Sequence, residues 1–135
     1  MLLKDISFVI PVFNRPDEIN ELLNSFLELD GDKNFEIVIV EDGSTNKCDK
    51  IIKNYKNLNI SYHYKENSGP GDSRNFGMNV AKGKYFIILD SDVILSSDYN
   101  KILIKNLTKN YSDCFGGVDD SHHSFNYFQK AVSYS

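Results

Sequence analysis

Cysteine is scarce in this chain, and the two that are present lie far apart. Cys48 and Cys114 form no CxxC pair, so neither a disulfide framework nor a cysteine-based zinc site is expected. Reduced, buried thiols in a cytosolic protein are the expectation. Histidine is also scarce: His63 stands alone and the pair His122 and His123 lies in a polar stretch, so we predict surface positions rather than metal ligands.

Long apolar runs and an excess of positive charge are missing as well. No stretch approaches the roughly 20 apolar residues that are needed to cross a bilayer. Lys4 and Asp5 interrupt the start of the chain before the apolar core of a secretory signal could form. The net charge of −4 argues against a nucleic-acid partner. We therefore predict a cytoplasmic protein, with peripheral attachment at the inner face of the membrane left open.

What is present is a composition that suits one globular domain. The 135 residues are enough for a single core but not for two, and no repeat, linker or low-complexity tract divides them. The apolar pattern predicts alternating strands and helices whose crossovers indicate parallel strands. The predicted strands are residues 6–13, 35–40, 60–64, 85–89 and 113–118. The predicted fold class is α/β, a three-layer α/β/α sandwich with a mostly parallel sheet.

The predicted helices begin after turn or capping signals. The first starts at Pro16 and carries an apolar stripe, and the second is short, with Ser44 or Asn46 as its cap. The next predicted helices are residues 72–81 and 98–110. A last helix is predicted over residues 124–135, with one apolar side made of Phe125, Phe128, Ala131 and Val132. No capping signal closes this helix, which predicts a truncated chain or self-association through the apolar side.

Residues 84–95, KYFIILDSDVIL, form the stretch with the clearest chemical content. The apolar run has the length of a strand that is covered on both faces. Asp90 and Asp92 follow at its carboxyl end, where open α/β sheets bind their ligands. Two carboxylates this close repel unless a cation neutralises them, and their oxygens favour Mg²⁺ or Mn²⁺ shared with a substrate phosphate. The alternative is that this DxD only caps the next helix.

Three loops should meet at the carboxyl edge of the predicted sheet: residues 11–15, 41–44 and 90–92. The arrangement resembles the nucleotide-sugar half of family 2 glycosyltransferases, which have the Rossmann-like GT-A fold. The matching segments are SFVIPVFNRPDEI, EIVIVEDGST, NSGPGDSRNFGMNVAKGKYFIILDSD and, more loosely, FGGVDD with FQKAVSYS. The resemblance covers nearly the whole chain. Any one of these motifs alone is weak evidence for the family, but the four in this order are specific to it.

This resemblance implies substrate-binding roles in the first two loops. The residues that would lie along the nucleoside, or beside it, are Pro11, Val12, Phe13, Asn14 and Arg15. Asp42 would accept a hydrogen bond from the base, with the N3–H of uracil favoured, and Glu41 would lie beside it. Many relatives carry Asp at the position of Glu41. The plain alternative for residues 41–44 is a turn followed by a helix cap.

The same resemblance implies roles near the diphosphate. Arg74 would approach the base or the phosphates, since a guanidinium matches phosphate geometry; its alternative is a solvated charge on a helix. Asp90 would reach the ribose, Ser91 would be a further substrate-binding residue, and Asp92, with Asp90, would hold the Mn²⁺ or Mg²⁺. The glycines of GPGDSRNFG do not make a dinucleotide fingerprint, because their register is wrong and they do not follow the first strand.

The general base is not identified by these motifs. In the family it lies beyond the metal motif, in an acceptor-binding half, and only 43 residues follow Asp92. We therefore expect residues 1–135 to form a single donor-binding domain that lacks most of the acceptor-binding half. Asp119 and Asp120 stand where relatives contact the sugar, and neither is assigned as the base.

The predicted function is transfer of a sugar from a nucleoside-diphosphate sugar, with a UDP-sugar favoured, to an acceptor hydroxyl. The resemblance implies a metal-dependent, inverting reaction on a glycan or lipid-linked acceptor, in cell-surface polysaccharide or glycoconjugate synthesis. The alternative is a catalytically incomplete nucleotide-binding or assembly module. A phosphoacceptor receiver domain fits less well, because its acidic pair would follow the first strand rather than the second and fourth.

Overall fold

The computed structural model describes residues 3–109, 114–116 and 127–130. After a short 3₁₀ turn at Leu3–Asp5, strands and helices alternate as predicted as far as residue 116. The strands are β1 (Ile6–Val12), β2 (Glu36–Asp42), β3 (Asn59–Lys65), β4 (Tyr85–Ile88), β5 (Cys114–Gly116) and β6 (Tyr127–Lys130). The helices are α1 (Pro16–Leu27), α2 (Asp49–Ile52), α3 (Pro70–Val80) and α4 (Tyr99–Lys109).

The strands form one sheet in the order β3-β2-β1-β4-β6-β5. Strands β3, β2, β1 and β4 are parallel, and their register pairs Val9 with both Val38 and Ile88. Strand β6 runs antiparallel to β4, and β5 runs antiparallel to β6. The prediction of a mostly parallel α/β sheet is therefore confirmed.

The sheet is apolar on both faces, which is why its central strands read as continuous hydrophobic runs. Neighbouring residues of a strand point to opposite faces. Phe8 packs edge-on against Phe26 and Phe35, with ring centroids 4.9 and 5.2 Å apart, in the larger core cluster. Val9 belongs to the second cluster, with Met78 of α3. Burial on both faces places the polar groups of the chain at the strand ends.

Helix α3 lies close against strands β1 and β2 because it carries a glycine at the contact. A Cβ at Gly77 would collide with the side chain of Val9. The helix begins at Pro70, two residues before the predicted start, since proline suits the first helical position. Gly69 precedes it with a φ of 101°, a conformation that glycine adopts without strain. This close packing places the first turns of α3 beside the carboxyl ends of β1 and β2.

The prediction of a helix over residues 124–135 was wrong for residues 127–130, which form strand β6. Its residues pair with β4, from Tyr85 with Lys130 to Ile88 with Tyr127. An open strand edge offers unpaired N–H and C=O groups, and pairing with it overrides a helical spacing of apolar residues. The self-association prediction rested on that helical side and has no support in these four residues. The other residues of 124–135 lie outside the described part of the chain.

Further predictions fall partly or wholly outside the described residues. Asp119, Asp120, His122 and His123 belong to this group. Cys48 is free and buried, as expected. Among the helices that the structure describes, none has the length and apolar character required for a membrane span.

Candidate functional site

A pocket of about 230 Å³ lies at the carboxyl edge of the parallel strands. The residues that line it are Pro11, Val12, Phe13, Asp42, Pro70, Arg74, Asp90 and Ser91. All of them except Pro70 belong to the predicted site, so the loops after β1, β2 and β4 meet as expected. Pro70 was missed as a lining residue, although a proline after Gly69 is itself a helix-start signal that places it at this edge.

A larger cavity of about 620 Å³ contains none of the predicted site residues. Its lining comes from residues 3–4, residues 30–34 and helix α4, including the buried amide of Asn100. Residues 3–4 precede β1 and residues 30–34 precede β2, so the cavity is on the amino-end side of the sheet. Ligands of open α/β sheets bind at the opposite, carboxyl edge, and we therefore place the candidate site in the smaller pocket.

Asp42 is the last residue of β2, and its carboxylate is held by four donors. Oδ1 accepts hydrogen bonds from Lys65 Nζ at 2.7 Å and the Ser68 N–H at 2.9 Å. Oδ2 accepts from the Gly69 N–H at 3.1 Å and, at 3.5 Å, from Asn67 Nδ2. Burial raises the pKa of Asp42, but the Lys65 ammonium and the two backbone N–H groups lower it more, so its pKa lies below 3.8. The pocket therefore contains an ionised carboxylate.

Glu41, the neighbour of Asp42, does not reach the pocket. Its side chain is fully buried and accepts hydrogen bonds from the Ser44 hydroxyl, the Cys48 N–H and the Tyr62 hydroxyl at 2.8, 2.8 and 3.0 Å. Adjacent strand residues point to opposite faces, which separates the two acids. The Cys48 thiol and the Tyr62 phenol have raised pKa values, first because of burial and second because of the Glu41 charge. Glu41 thus fixes the loop after β2 from inside the protein.

The predicted helix caps were wrong. Helix α2 begins after Cys48, and no side chain caps it. The Ser44 hydroxyl instead accepts the Asn14 N–H at 2.8 Å and donates to Glu41. A cap needs the side chain within about one turn of the first helical N–H groups, and Ser44 lies five residues before Asp49.

Asn14 joins the loop after β1 to the loop after β2. Its Oδ1 accepts hydrogen bonds from the backbone N–H groups of Thr45 and Asn46, both at 2.9 Å. Its φ of 52° is left-handed, a conformation that asparagine tolerates better than most residues. Arg15 is exposed and donates to the Asn14 carbonyl oxygen at 3.0 Å. Neither residue lines the pocket; Asn14 positions the loop that does.

We expect Asn14→Ala to lower the free energy of unfolding by about 2 kcal/mol, because it leaves two N–H groups unpaired and puts alanine in a left-handed conformation. Asn14→Gly removes the same hydrogen bonds but tolerates the positive φ, so it should cost about 1 kcal/mol less. Urea denaturation of both variants measures the difference. Unfolding free energies equal to that of the unmodified chain in both variants would refute this role.

Arg74 and Asp90 face each other across the pocket. Arg74 Nη2 lies 3.7 Å from Asp90 Oδ1, and the two side chains are 33% and 51% exposed. Arg74 Nε is buried and has no partner among the described residues. The Ser91 hydroxyl donates to Glu18 at 2.7 Å, a contact that no sequence signal predicted. Because a third of the Arg74 side chain is exposed and its ion pair with Asp90 is long, the terminal nitrogens of the guanidinium have donor capacity left for an anion in the pocket.

Asp90 and Asp92 carry carboxylate oxygens, the type of ligand that Mg²⁺ and Mn²⁺ prefer. Asp90 is half-exposed with one long ion pair, and Asp92 is exposed but does not line the pocket. In the described part of the chain no group of three or more metal-binding side chains is assembled. Mg²⁺ and Mn²⁺ need only one or two carboxylates when waters and substrate phosphates supply the other oxygens. The donor set thus suits an ion that is shared with a phosphorylated ligand.

A family model described as glycosyl transferase family 2 matches residues 7–133. The chain belongs to glycosyltransferase family 2. An uncharacterised glycosyltransferase of Rickettsia conorii is 40% identical over 106 residues, which is 78% of this chain and 17% of that protein. The poly(ribitol-phosphate) β-N-acetylglucosaminyltransferase TarS of Staphylococcus aureus is 32% identical over 111 residues, 79% of this chain and 19% of TarS. The chain therefore spans less than a fifth of these two relatives.

Solved structures of two glycosyltransferases share the fold. TarS residues 1–349 in complex with UDP-GlcNAc superpose with a TM-score of 0.81 at 26% identity, over 94% of this chain and 45% of that one. The mannosyltransferase PcManGT from Pyrobaculum calidifontis, in complex with GDP-Man and Mn²⁺, has a TM-score of 0.77 at 20% identity, over 86% and 36% of the two chains. The expected GT-A fold is confirmed.

Proposed function

We propose that this chain provides the donor-binding part of a glycosyltransferase that uses a nucleoside-diphosphate sugar, with a UDP-sugar as the favoured donor. The observation that carries the proposal is the pocket in which Asp42, Arg74 and Asp90 converge at the carboxyl edge of the sheet. Family membership and the UDP-GlcNAc complex of TarS support it. The single-domain assignment and the absence of most of the acceptor-binding half remain predictions.

In this proposal the pocket offers a separate contact for each part of the nucleoside diphosphate. The base lies along residues 11–13, where Phe13 exposes 49% of its surface for stacking, and donates its N–H to Asp42. Asp90 and Ser91 hold the ribose. Arg74 pairs with the diphosphate through the terminal nitrogens of its partly exposed guanidinium. Glu41 and Asn14 act through the loops that they fix and have no direct contact with the donor.

The proposed reaction is transfer of the sugar to an acceptor hydroxyl with inversion at the anomeric carbon. The hydroxyl oxygen forms a bond to that carbon as the bond to the diphosphate breaks, and a general base takes the hydroxyl proton. Asp92 and Asp90 would hold Mn²⁺ or Mg²⁺, which would supply positive charge to offset the charge of the departing diphosphate. Arg74 stabilises the same charge by hydrogen bonding. The general base is not assigned to any of the described residues.

We further propose a glycan or lipid-linked acceptor, in cell-surface polysaccharide or glycoconjugate synthesis, and a cytoplasmic location that includes the inner face of the membrane. The proposed acceptor and pathway are supported by the name of the relative TarS, which gives poly(ribitol phosphate) as its acceptor. The rival function is a nucleotide-binding or assembly module without catalysis. Both functions would use the same pocket, and only the transferase would turn over the donor.

Calorimetric titration with UDP, GDP and dTDP, each with and without Mn²⁺, tests the donor site. We expect Mn²⁺-dependent binding, tightest for UDP. A folded chain that binds none of the three nucleotides would overturn the proposal. Release of free sugar from a UDP-sugar by the complete protein then separates a transferase from a binding module.

A further inference from the structure

Lys65 reaches the pocket carboxylate from the neighbouring strand. Asp42 and Lys65 are register partners at the ends of β2 and β3, so their side chains lie side by side. Lys65 Nζ donates to Asp42 Oδ1 at 2.7 Å, to the Glu66 carbonyl oxygen at 2.9 Å and to the Ser68 hydroxyl. The lysine side chain is only 14% exposed. All three N–H groups of the ammonium are thus used within the protein, and none is left for a ligand.

These contacts leave the Asp42 carboxylate with unequal oxygens. A carboxylate has about four acceptor positions, two on each oxygen. Lys65 and the Ser68 N–H fill both positions on Oδ1. On Oδ2 the Gly69 N–H fills one, and the second is approached only by Asn67 Nδ2 at 3.5 Å. That amide has a better acceptor in the Asp42 carbonyl oxygen at 2.9 Å, so one position on Oδ2 is open to a ligand.

We propose that Lys65 is a positioning residue that limits Asp42 to one acceptor position and thereby selects the base by its number of adjacent N–H donors. The inference rests on the proposed function, in which Asp42 receives the base. Uracil presents one imide N–H between two carbonyl groups and is satisfied by one acceptor. Guanine presents N1–H and the 2-amino group side by side and needs both carboxylate oxygens. With Oδ1 occupied by Lys65, the 2-amino group of guanine is left without an acceptor, and such an unpaired donor weakens binding.

Inosine diphosphate supplies the decisive comparison, because it has the N1–H of GDP but lacks the 2-amino group. For the unmodified chain with Mn²⁺ we expect UDP to bind tightest and GDP to bind no tighter than IDP, because the amino group gives up its hydrogen bonds to water and gains no acceptor in the pocket. In Lys65→Met one position on Oδ1 becomes free, and GDP should then bind about tenfold tighter than IDP. The preference for UDP over GDP should fall by a similar factor.

Lys47→Met is the matched control. Lys47 is exposed, lies 4.2 Å from the centroid of the Tyr64 ring and does not line the pocket. Its substitution changes the net charge by the same amount and should leave the GDP-to-IDP ratio unchanged. If Lys65 had only a structural role, Lys65→Met would lower the affinities for UDP, GDP and IDP by the same factor. That equal loss would overturn the inference.

The unmodified chain tests the inference even if Lys65→Met does not fold. GDP binding more than about fivefold tighter than IDP to the unmodified chain would show that both oxygens of Asp42 accept, contrary to the inference. Failure of the proposed function has a different result, because a folded chain would then bind none of the nucleotides. Binding of UDP with a GDP-to-IDP ratio that Lys65→Met does not change overturns the role of Lys65 alone.

Discussion

Asp92→Ala should abolish the Mn²⁺-dependent part of nucleotide binding while the fold stays intact. Asp92 is exposed in the loop after β4, so its removal leaves no buried group unpaired. Loss of a residue that only supports a metal ligand costs about 10–100-fold in affinity, so loss of a direct ligand should cost about 100-fold or more. Titration with UDP across a range of Mn²⁺ concentrations measures the effect.

Asp32→Ala is the control for this experiment. Asp32 is also an exposed acid, but it lines the cavity near the amino ends of the strands. The substitution removes the same charge and should change neither the nucleotide affinity nor its dependence on Mn²⁺. An Asp92→Ala chain that keeps its full Mn²⁺-dependent affinity for UDP would refute the assignment of Asp92 to the metal.

Asp42→Ala should lower the free energy of unfolding by about 3 kcal/mol at neutral pH and eliminate nucleotide binding. The substitution leaves the Lys65 ammonium, which is mostly buried, without its carboxylate, and removal of one partner of a buried ion pair typically costs about 3–5 kcal/mol. The low end applies because Lys65 keeps the Glu66 carbonyl oxygen and the Ser68 hydroxyl as acceptors. Urea denaturation of both chains measures the loss.

The stability difference between the two chains should depend on pH in a defined direction. The pKa of Asp42 in the folded protein lies below its ordinary value of 3.8. The stabilisation by the carboxylate is therefore complete above pH 3.8 and is lost as the pH falls through the lowered pKa. We expect the difference between the unmodified chain and Asp42→Ala to shrink in acid. A difference that stays constant down to the acid unfolding of the protein would contradict this account.

The pocket is held by side chains that link the loops around it. Asn14 connects the loop after β1 to the loop after β2 by hydrogen bonds, and Asp42 connects the end of β2 to the loop before α3 in the same way. Glu41 holds the same β2 loop from the interior. Three acceptors therefore fix the shape of one binding edge, and each accepts backbone N–H groups that would otherwise be unpaired.

The edge of the sheet that carries the candidate site could be predicted from the sequence, because the signals for it are local. The apolar run of β4 followed at once by Asp90, and that of β2 followed by Asp42, place acids at the ends of buried strands. Crossovers of helical length make the strands parallel, and parallel strands end at the same edge. These rules act within a few residues or through the connections between elements, so they need no knowledge of individual contacts.

The tertiary structure alone decided which side chains meet at that edge. Glu41 and Asp42 look equivalent in the sequence and both are buried, but the alternation of β2 turns Glu41 to the interior and Asp42 to the pocket. Lys65 lies 23 residues from Asp42, and only the parallel register of β2 and β3 pairs them. Residues 127–130 became a strand because β4 offers an open edge. Each outcome depends on strand order and register. These arise from packing across the whole sheet, so no local sequence pattern predicts them.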